Sequence, residues 1–220
     1  MNEFSLKDLK LLRTLPLHIG HEGWGLALDP DGSKLYLTDS TDALYHLDSS
    51  SYAELAKLKI VDPRLSGADG NMGAPFAIHG VNELEMVDGE LWGNVYPMYQ
   101  NSHSECIVRI NATTGAVIGW IDMHGLLAKQ RSQVRAQPHS LVLNGIAYHA
   151  KSGRLYVTGK QWDKMYQVRI KPAPNMDHNH VLRHCGLGNV KHAHLAENGA
   201  HARRRQQEGT AEPNRPPRRG

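Results

Sequence analysis

Three segments of this chain follow one pattern, and this repetition constrains the fold more than any other feature of the sequence. Each segment opens on a short apolar strand, passes through a turn rich in Asp and Gly, and adds a second and a third apolar strand. They cover residues 22–48 (EGWGLALDPDGSKLYLTDSTDALYHLD), 82–111 (NELEMVDGELWGNVYPMYQNSHSECIVRIN) and 144–170 (NGIAYHAKSGRLYVTGKQWDKMYQVRI). Their openings lie about 60 residues apart, and short antiparallel strands that recur in this way are typical of a β-propeller with one blade per repeat.

The segments between the repeats extend the pattern. Residues 51–67 (SYAELAKLKIVDPRLSG) and 115–138 (GAVIGWIDMHGLLAKQRSQVRAQP) each predict an outer strand followed by a crossover to the next blade. Residues 111–115 (NATTG) predict the hairpin turn before the second outer strand. With an additional strand in residues 9–17 (LKLLRTLPL), the sequence predicts an all-β fold of about three blades over residues 1–170. Closed propellers need at least about four blades, so we expect an incomplete propeller.

The composition changes after residue 170. Residues 171–220 lack strand alternation, contain few large apolar side chains and end in Arg and Pro, which predicts a disordered tail. This tail holds nine Lys/Arg against four Asp/Glu, a net charge of +5, which leaves −2 on residues 1–170 because the whole chain carries +3. A basic groove for nucleic acid is therefore not expected in the folded part.

Other compositional features exclude several classes of protein. Cys106 and Cys185 are too few for a disulfide framework. No apolar run reaches the roughly 18 residues of a membrane span, and the N-terminus lacks the apolar stretch of a signal peptide. Residues 178–185 (HNHVLRHC) bring metal-ligating side chains close together, but without a surrounding fold to fix their geometry we expect no specific metal site.

Polar and aromatic residues stand at the strand ends where a propeller forms its central funnel. The start of the innermost strand and the loop after the second strand meet there, so sites form from equivalent positions on different blades. The residues at these positions are Trp24, Asn82, Tyr96, Asn144, Lys160 and Trp162. Taken singly, each has a structural explanation: Asn at a strand start is common turn chemistry, Trp packs between blades, and an isolated Lys is usually solvated.

Together, however, these motifs resemble a known family. In order along the chain, EGWGL, VNELEMVDGELWGNVY, CIVRI, GWID, LNGIAY and RLYVTGKQW are similar to segments of plant-type glutaminyl cyclases (glutaminyl-peptide cyclotransferases), over residues 15–170. The resemblance implies a five-bladed β-propeller that converts the N-terminal glutamine of peptides and proteins to pyroglutamate and releases ammonia. It implies no cofactor and no metal. The implied partners are peptides or proteins with N-terminal glutamine, without nucleic acid or membrane.

Mapped onto this sequence, the resemblance implies catalytic roles for Asn82 and Lys160. Asn82 would hydrogen-bond the substrate amide or the developing tetrahedral oxygen. Lys160 would place a positive charge near that oxygen or keep an acidic partner ionised. Trp24, Tyr96 and Trp162 would bind the substrate through their aromatic rings, and Tyr96 stands where many members of the family have Trp.

The sequence also departs from the family pattern. In the family, two blades precede EGWGL and supply a QGL-like strand and a GEG-like segment whose glutamate is the expected acid/base, and residues 1–21 match neither. Glu22 belongs to the later motif and is not assigned that role. We therefore expect a truncated chain with weak or no activity alone. A secretory location is compatible with the family if a missing N-terminus carried a signal peptide. Asn144 is expected to anchor its blade.

Two other functions remain open from the residues. A non-catalytic propeller scaffold that binds a peptide or protein partner would show the same incomplete funnel. A calcium-dependent lactonase would need several carboxylates that converge on the propeller axis, and the chain offers mainly Glu22, Glu83 and Glu85.

Overall fold

The structure is a computed structural model that describes residues 1–17, 19, 22–65, 74–97, 105–130, 141–172, 176, 178–185 and 187. Fifteen β-strands dominate this part of the chain. Three short 3-10 helices accompany them at Pro63–Leu65, Leu127–Lys129 and Ala150–Ser152. Within the described residues, no helix has the length and apolar character needed to span a bilayer.

A two-stranded hairpin begins the chain. Strands β1 (Asn2–Phe4) and β2 (Leu11–Thr14) pair antiparallel, as the apolar pattern of residues 9–17 predicts for the second of them. Side chains link the two strands, since Thr14 Oγ1 donates to Asn2 Oδ1 at 2.9 Å. Several apolar side chains of the hairpin face solvent, with Leu6 almost fully exposed.

The first repeat forms a four-stranded antiparallel sheet in chain order. Its strands are β3 (Leu26–Leu28), β4 (Lys34–Thr38), β5 (Ala43–Asp48) and β6 (Glu54–Lys59). The DPDG turn between β3 and β4 closes where the Gly32 N–H donates to the Asp29 carbonyl oxygen at 2.8 Å. Gly32 has a φ of +76°, a conformation that glycine adopts without steric cost.

The second repeat forms the second four-stranded sheet. A small two-stranded sheet, β7 (Val61–Asp62) with β8 (Phe76–Ala77), precedes it. The blade itself contains β9 (Val81–Val87), β10 (Glu90–Val95), β11 (Cys106–Ile110) and β12 (Val117–Asp122). Asp88 and Gly89 both have positive φ, at 48° and 84°, which is the geometry that tight hairpins favour for Asp-Gly.

The third repeat forms a three-stranded sheet of β13 (Leu143–His149), β14 (Arg154–Gly159) and β15 (Tyr166–Val168). The three sheets pack through their first strands, because β9 lies between β3 on one side and β13 on the other. The prediction of an all-β fold with about three propeller blades is therefore confirmed. The predicted outer strands of the first two blades are also present, as β6 and β12.

The core lies between the blades. One cluster joins the first and second blades and includes Leu44, Val81 and Val95, all fully buried. A second cluster joins the second and third blades and includes Ile107 and Val157. Burying side chains of this size stabilises the fold by about 1.5–3 kcal/mol each, so the contacts that assemble the blades also stabilise each sheet.

Part of the segment after residue 170 differs from the disordered tail that its composition predicts. Residues His178–His184 form the single α-helix of the described chain, α1. Val181 and Leu187 are buried against the first core cluster, and Cys185 forms a disulfide with Cys106 of β11. Composition alone predicts disorder, because ordering this segment costs conformational entropy. The disulfide and the two buried apolar side chains offset that cost. Most of the predicted tail lies outside the described residues.

Candidate functional site

The antiparallel hairpins bring five of the predicted positions to one end of the blades. In each blade the second strand ends where the first begins, so residues beside these two ends become neighbours. Trp24 precedes β3, Asn82 and Asn144 stand second in β9 and β13, Tyr96 follows β10, and Lys160 follows β14. We call this set of five residues the mouth.

Three of these side chains form a stack that spans all three blades. The Trp24 and Tyr96 ring centroids lie 5.8 Å apart at an interplanar angle of 75°, an edge-to-face contact. The Lys160 Nζ lies 5.0 Å from the centroid of the Tyr96 ring, within the range of a cation–π interaction. The stack therefore places an ammonium group against an aromatic wall.

Main-chain hydrogen bonds fix the base of each residue in the stack. The Trp24 N–H donates to Thr38 O at 2.8 Å, and the Tyr96 N–H donates to Gly80 O at 2.7 Å. The Lys160 N–H donates to Val142 O at 2.9 Å. Because these bonds hold the backbone at all three positions, the side chains leave the sheets from defined points.

Gly25 allows the first blade to approach the second beside the mouth. A Cβ at this position would lie 2.7 Å from Leu84 Cγ and 3.0 Å from the Asn82 carbonyl oxygen. Both distances are shorter than ordinary van der Waals contact. The glycine of the EGWGL motif is therefore required by packing against β9, next to Asn82.

Asn82 is half-buried and bridges the second and third blades. Its Oδ1 accepts a hydrogen bond from Asn144 Nδ2 at 3.4 Å. Among the described residues, nothing accepts a hydrogen bond from Asn82 Nδ2. That amide is a donor at the mouth, and Asn144 is the residue that orients it. The prediction that Asn144 anchors its blade agrees with this contact.

Side chains of the second blade bind the main chain of β13 over several consecutive residues. Asn94 Oδ1 accepts from the Gly145 N–H at 2.8 Å, and Glu85 Oε1 accepts from the Tyr148 N–H at 2.6 Å. The Ile146 N–H faces the Glu83 carboxyl between these two contacts. We call these three side chains of the second blade, Glu83, Glu85 and Asn94, together with the β13 amides that they face, the seam.

The two glutamates of the seam are strongly affected by burial. Burial raises the pKa of Glu83 to about 8, and the nearby Glu85 carboxylate adds to that rise, while the Ile146 N–H partly opposes it. Burial also raises the pKa of Glu85, and the hydrogen bond from Tyr148 N opposes that shift. Sequence reasoning gave these residues no part in the cyclase site, although their alternation within NELE indicates two carboxyls on one face of a strand.

Trp162 lies within its own blade and not in the stack at the mouth. Its indole Nε1 donates to Leu141 O at 2.8 Å, and its ring makes an edge contact with Tyr166 at 6.5 Å. The ring also covers Gly159, where a Cβ would lie 2.3 Å from an indole carbon. Among the described residues, Trp162 therefore packs against the second core cluster, and the structure does not bring it beside Trp24 or Tyr96.

An ion pair between Arg109 and Glu90 lies at the opposite end of the blades. A groove there runs between the second and third blades and is lined by residues that include Glu90, Trp92, Arg109 and Arg154. Arg109 Nε donates to Glu90 Oε2 at 2.7 Å. None of the predicted site residues lines this groove. Glu22 is exposed and contributes no described contact to the mouth.

Comparison with known proteins gives one consistent result. A family profile described as glutamine cyclotransferase matches residues 2–170, a range that begins earlier than the motifs alone indicate. The chain is 33% identical over 184 residues to a glutaminyl-peptide cyclotransferase of Arabidopsis thaliana, an alignment that covers 83% of this chain and 50% of the relative. The structure is similar to the crystal structure of Myxococcus xanthus glutaminyl cyclase, with a TM-score of 0.57 and 28% identity over 73% of this chain and 59% of the other. This chain thus spans about half the length of the plant relative.

Proposed function

Because the chain belongs to the glutamine cyclotransferase family, we propose that it acts in the conversion of N-terminal glutamine to pyroglutamate with release of ammonia. The substrates would be peptides or proteins that begin with glutamine. The single observation that carries the proposal is the meeting of Trp24, Tyr96, Lys160 and Asn82, from three blades, at one end of the fold.

The reaction suits a site of this kind because it is intramolecular. The α-amine of the glutamine attacks the carbon of its own side-chain amide, and a C–N bond forms as that amide becomes tetrahedral. The C–N bond to the amide nitrogen then breaks, and this nitrogen leaves as ammonia after it gains the proton that the amine loses. Holding the amine and amide in a folded conformation removes much of the entropic cost of ring closure.

In this proposal the aromatic wall selects the folded conformation. Trp24 and Tyr96 present apolar ring surface that packs against the methylene groups of the glutamine side chain. The wall excludes water on that side, and electrostatic interactions with the reacting amide become stronger when water is excluded.

Asn82 and Lys160 would stabilise the charge that develops on the amide oxygen. The Nδ2 group of Asn82 is a neutral donor held in place by Asn144, and a preorganised donor of this type contributes about 10²–10³ in rate. The Lys160 ammonium, held over the Tyr96 ring, supplies positive charge without the cost of ordering a free side chain in the transition state.

The proposal is tested by incubating the full chain with a glutamine-initiated peptide and following the loss of one ammonia by mass spectrometry. We expect loss that is weak but above the uncatalysed rate, since residues 1–21 do not match the segment that carries the expected acid/base glutamate of the family. We expect no loss from the same peptide with an acetylated α-amine, because the nucleophile is then blocked. A rate equal to that of the buffer control, in an assay where the Arabidopsis relative turns over, would contradict the proposal. Binding of the peptide without turnover would instead support a non-catalytic scaffold.

A further inference from the structure

Two polar atoms of the seam lack a hydrogen-bond partner among the described residues. They are Oε2 of Glu83, an acceptor, and Nδ2 of Asn94, a donor, and both atoms are buried. Glu83 and Asn94 are directly opposite one another in the β9–β10 pairing, and Asn94 is only 1% exposed. Unsatisfied buried groups are rare and costly in folded proteins, so this pair needs an explanation other than simple stabilisation.

Burial removes the Glu83 carboxyl from solvent and so favours its uncharged form. In the described structure no Lys, Arg or His affects the pKa of this carboxyl, and the charged group that does is Glu85 on the same strand. From β13, the group that faces it is the Ile146 main-chain N–H. With the pKa of Glu83 raised to about 8, the carboxyl is mostly neutral at pH 7.

The seam determines where the third blade lies relative to the second. The Gly145 and Tyr148 amides are bound by Asn94 and Glu85, with Glu83 between them. The residue before Gly145 is Asn144, which contacts Asn82. Strand β14 pairs with β13 and leads directly to Lys160. A shift of β13 along or away from β9 would therefore move Asn144 and Lys160 together.

We propose that Glu83 is a positioning residue of the site, whose neutral carboxyl seats the third blade against the second and so sets the distance from Asn82 and Tyr96 to Asn144 and Lys160. Its catalytic consequence rests on the proposed function, whereas its structural consequence does not. Ionisation of Glu83 would place a charge between two blades with no compensating cation among the described residues, and water would have to enter the seam. The mouth would then lose its geometry.

The structural part is tested by thermal unfolding of the full chain between pH 5 and pH 9. The folded-state pKa of Glu83 lies above its ordinary value of 4.5. Stability is therefore highest when the group is protonated in both states, and it is lost as the pH rises toward about 8. We expect the unfolding temperature to fall by roughly 5–10 °C over this range. Glu83→Gln, which keeps the shape but cannot ionise, should remove most of that fall.

Glu54→Gln is the matched control, because Glu54 is exposed on the outer strand β6. This variant should keep the pH dependence of the unmodified chain. An equal pH dependence in Glu83→Gln and the unmodified chain would overturn the proposal. A direct check is the carboxyl-carbon chemical shift of Glu83 in NMR, which should titrate well above pH 6.

The catalytic part is tested by the pH profile of cyclisation. We expect kcat of the unmodified chain to decrease above about pH 8, with a smaller change in KM, and this alkaline decrease to be absent in Glu83→Gln. Glu83→Ala should lower kcat at every pH. If no variant cyclises the peptide but Glu83→Gln still flattens the stability profile, the proposed function fails and the role of Glu83 in the seam stands. If cyclisation occurs with the same pH profile in both proteins, Glu83 has no positioning role in catalysis.

Discussion

The ammonium group of Lys160 lies 5.0 Å from the centre of the Tyr96 ring, so the third blade places a positive charge on the aromatic wall of the second. Such a contact contributes about 0.5–1 kcal/mol at an exposed site. Its effect on the stability of the fold is therefore small. Its larger effect is to hold the long, flexible Lys160 side chain in one position within the mouth.

Removing this charge should affect the reaction far more than the fold. We expect Lys160→Met to reduce kcat for a glutamine-initiated peptide by about 10²-fold or more, because charge on the developing oxyanion is then uncompensated. The unfolding free energy should change by less than about 1 kcal/mol. Lys151→Met, at the opposite end of the same blade, is the matched control and should leave the rate unchanged. Equal rates in the two variants would argue against a role for Lys160.

Asn82 and Asn144 share one hydrogen bond, and this allows their roles to be separated. Either Asn82→Ala or Asn144→Ala removes the 3.4 Å contact, and each should cost about 1 kcal/mol of stability. Only Asn82 is proposed to donate to the substrate, so Asn82→Ala should lower kcat by about 10²–10³-fold, and Asn144→Ala by much less. Steady-state kinetics and thermal unfolding of both variants check this. The same loss of kcat in both would mean that Asn82 acts only through its contact with Asn144.

A substitution at Gly115 tests how closely the outer strands of the first two blades must pack. Gly115 has a φ of +74°, and a Cβ there would lie 2.2 Å from the Lys59 carbonyl oxygen. Gly32 has a similar φ of +76° with open space around it. Gly32→Ala should thus cost about 1 kcal/mol for the backbone conformation alone, and Gly115→Ala about 2 kcal/mol or more beyond that, because the clash is with main chain. Denaturant unfolding measures both. Equal costs would show that the two blades separate easily at this contact.

The disulfide between Cys106 and Cys185 should control whether α1 stays docked. The two residues are 79 positions apart, and a cross-link of that length contributes about 4 kcal/mol in the chain-entropy model. We expect Cys185→Ser to increase amide hydrogen exchange over residues 178–185 and to leave exchange in β9 and β10 largely unchanged. The unmodified chain treated with reductant should behave like the variant. Full protection of the helix after reduction would show that burial of Val181 and Leu187 is sufficient.

The sequence by itself determined the blades. Alternating apolar residues define the strands, and Asp-Gly or Ser-Gly pairs define the turns, so features such as the hairpin at Asp88 and Gly89 follow from neighbours in the chain. The antiparallel hairpins then fix which strand ends meet. For this reason the sequence alone predicts that Trp24, Tyr96 and Lys160 lie at one end of the blades.

The tertiary structure alone decided how the blades contact one another. The hydrogen bond between Asn94 and Gly145 and the disulfide between Cys106 and Cys185 join residues that lie far apart in sequence. Local patterning carries no information about such contacts, because they depend on the relative position of whole sheets. Trp162 shows the same limit: its place in the sequence suggested the funnel, but Gly159 leaves space beneath its ring, and there the indole packs within its own blade.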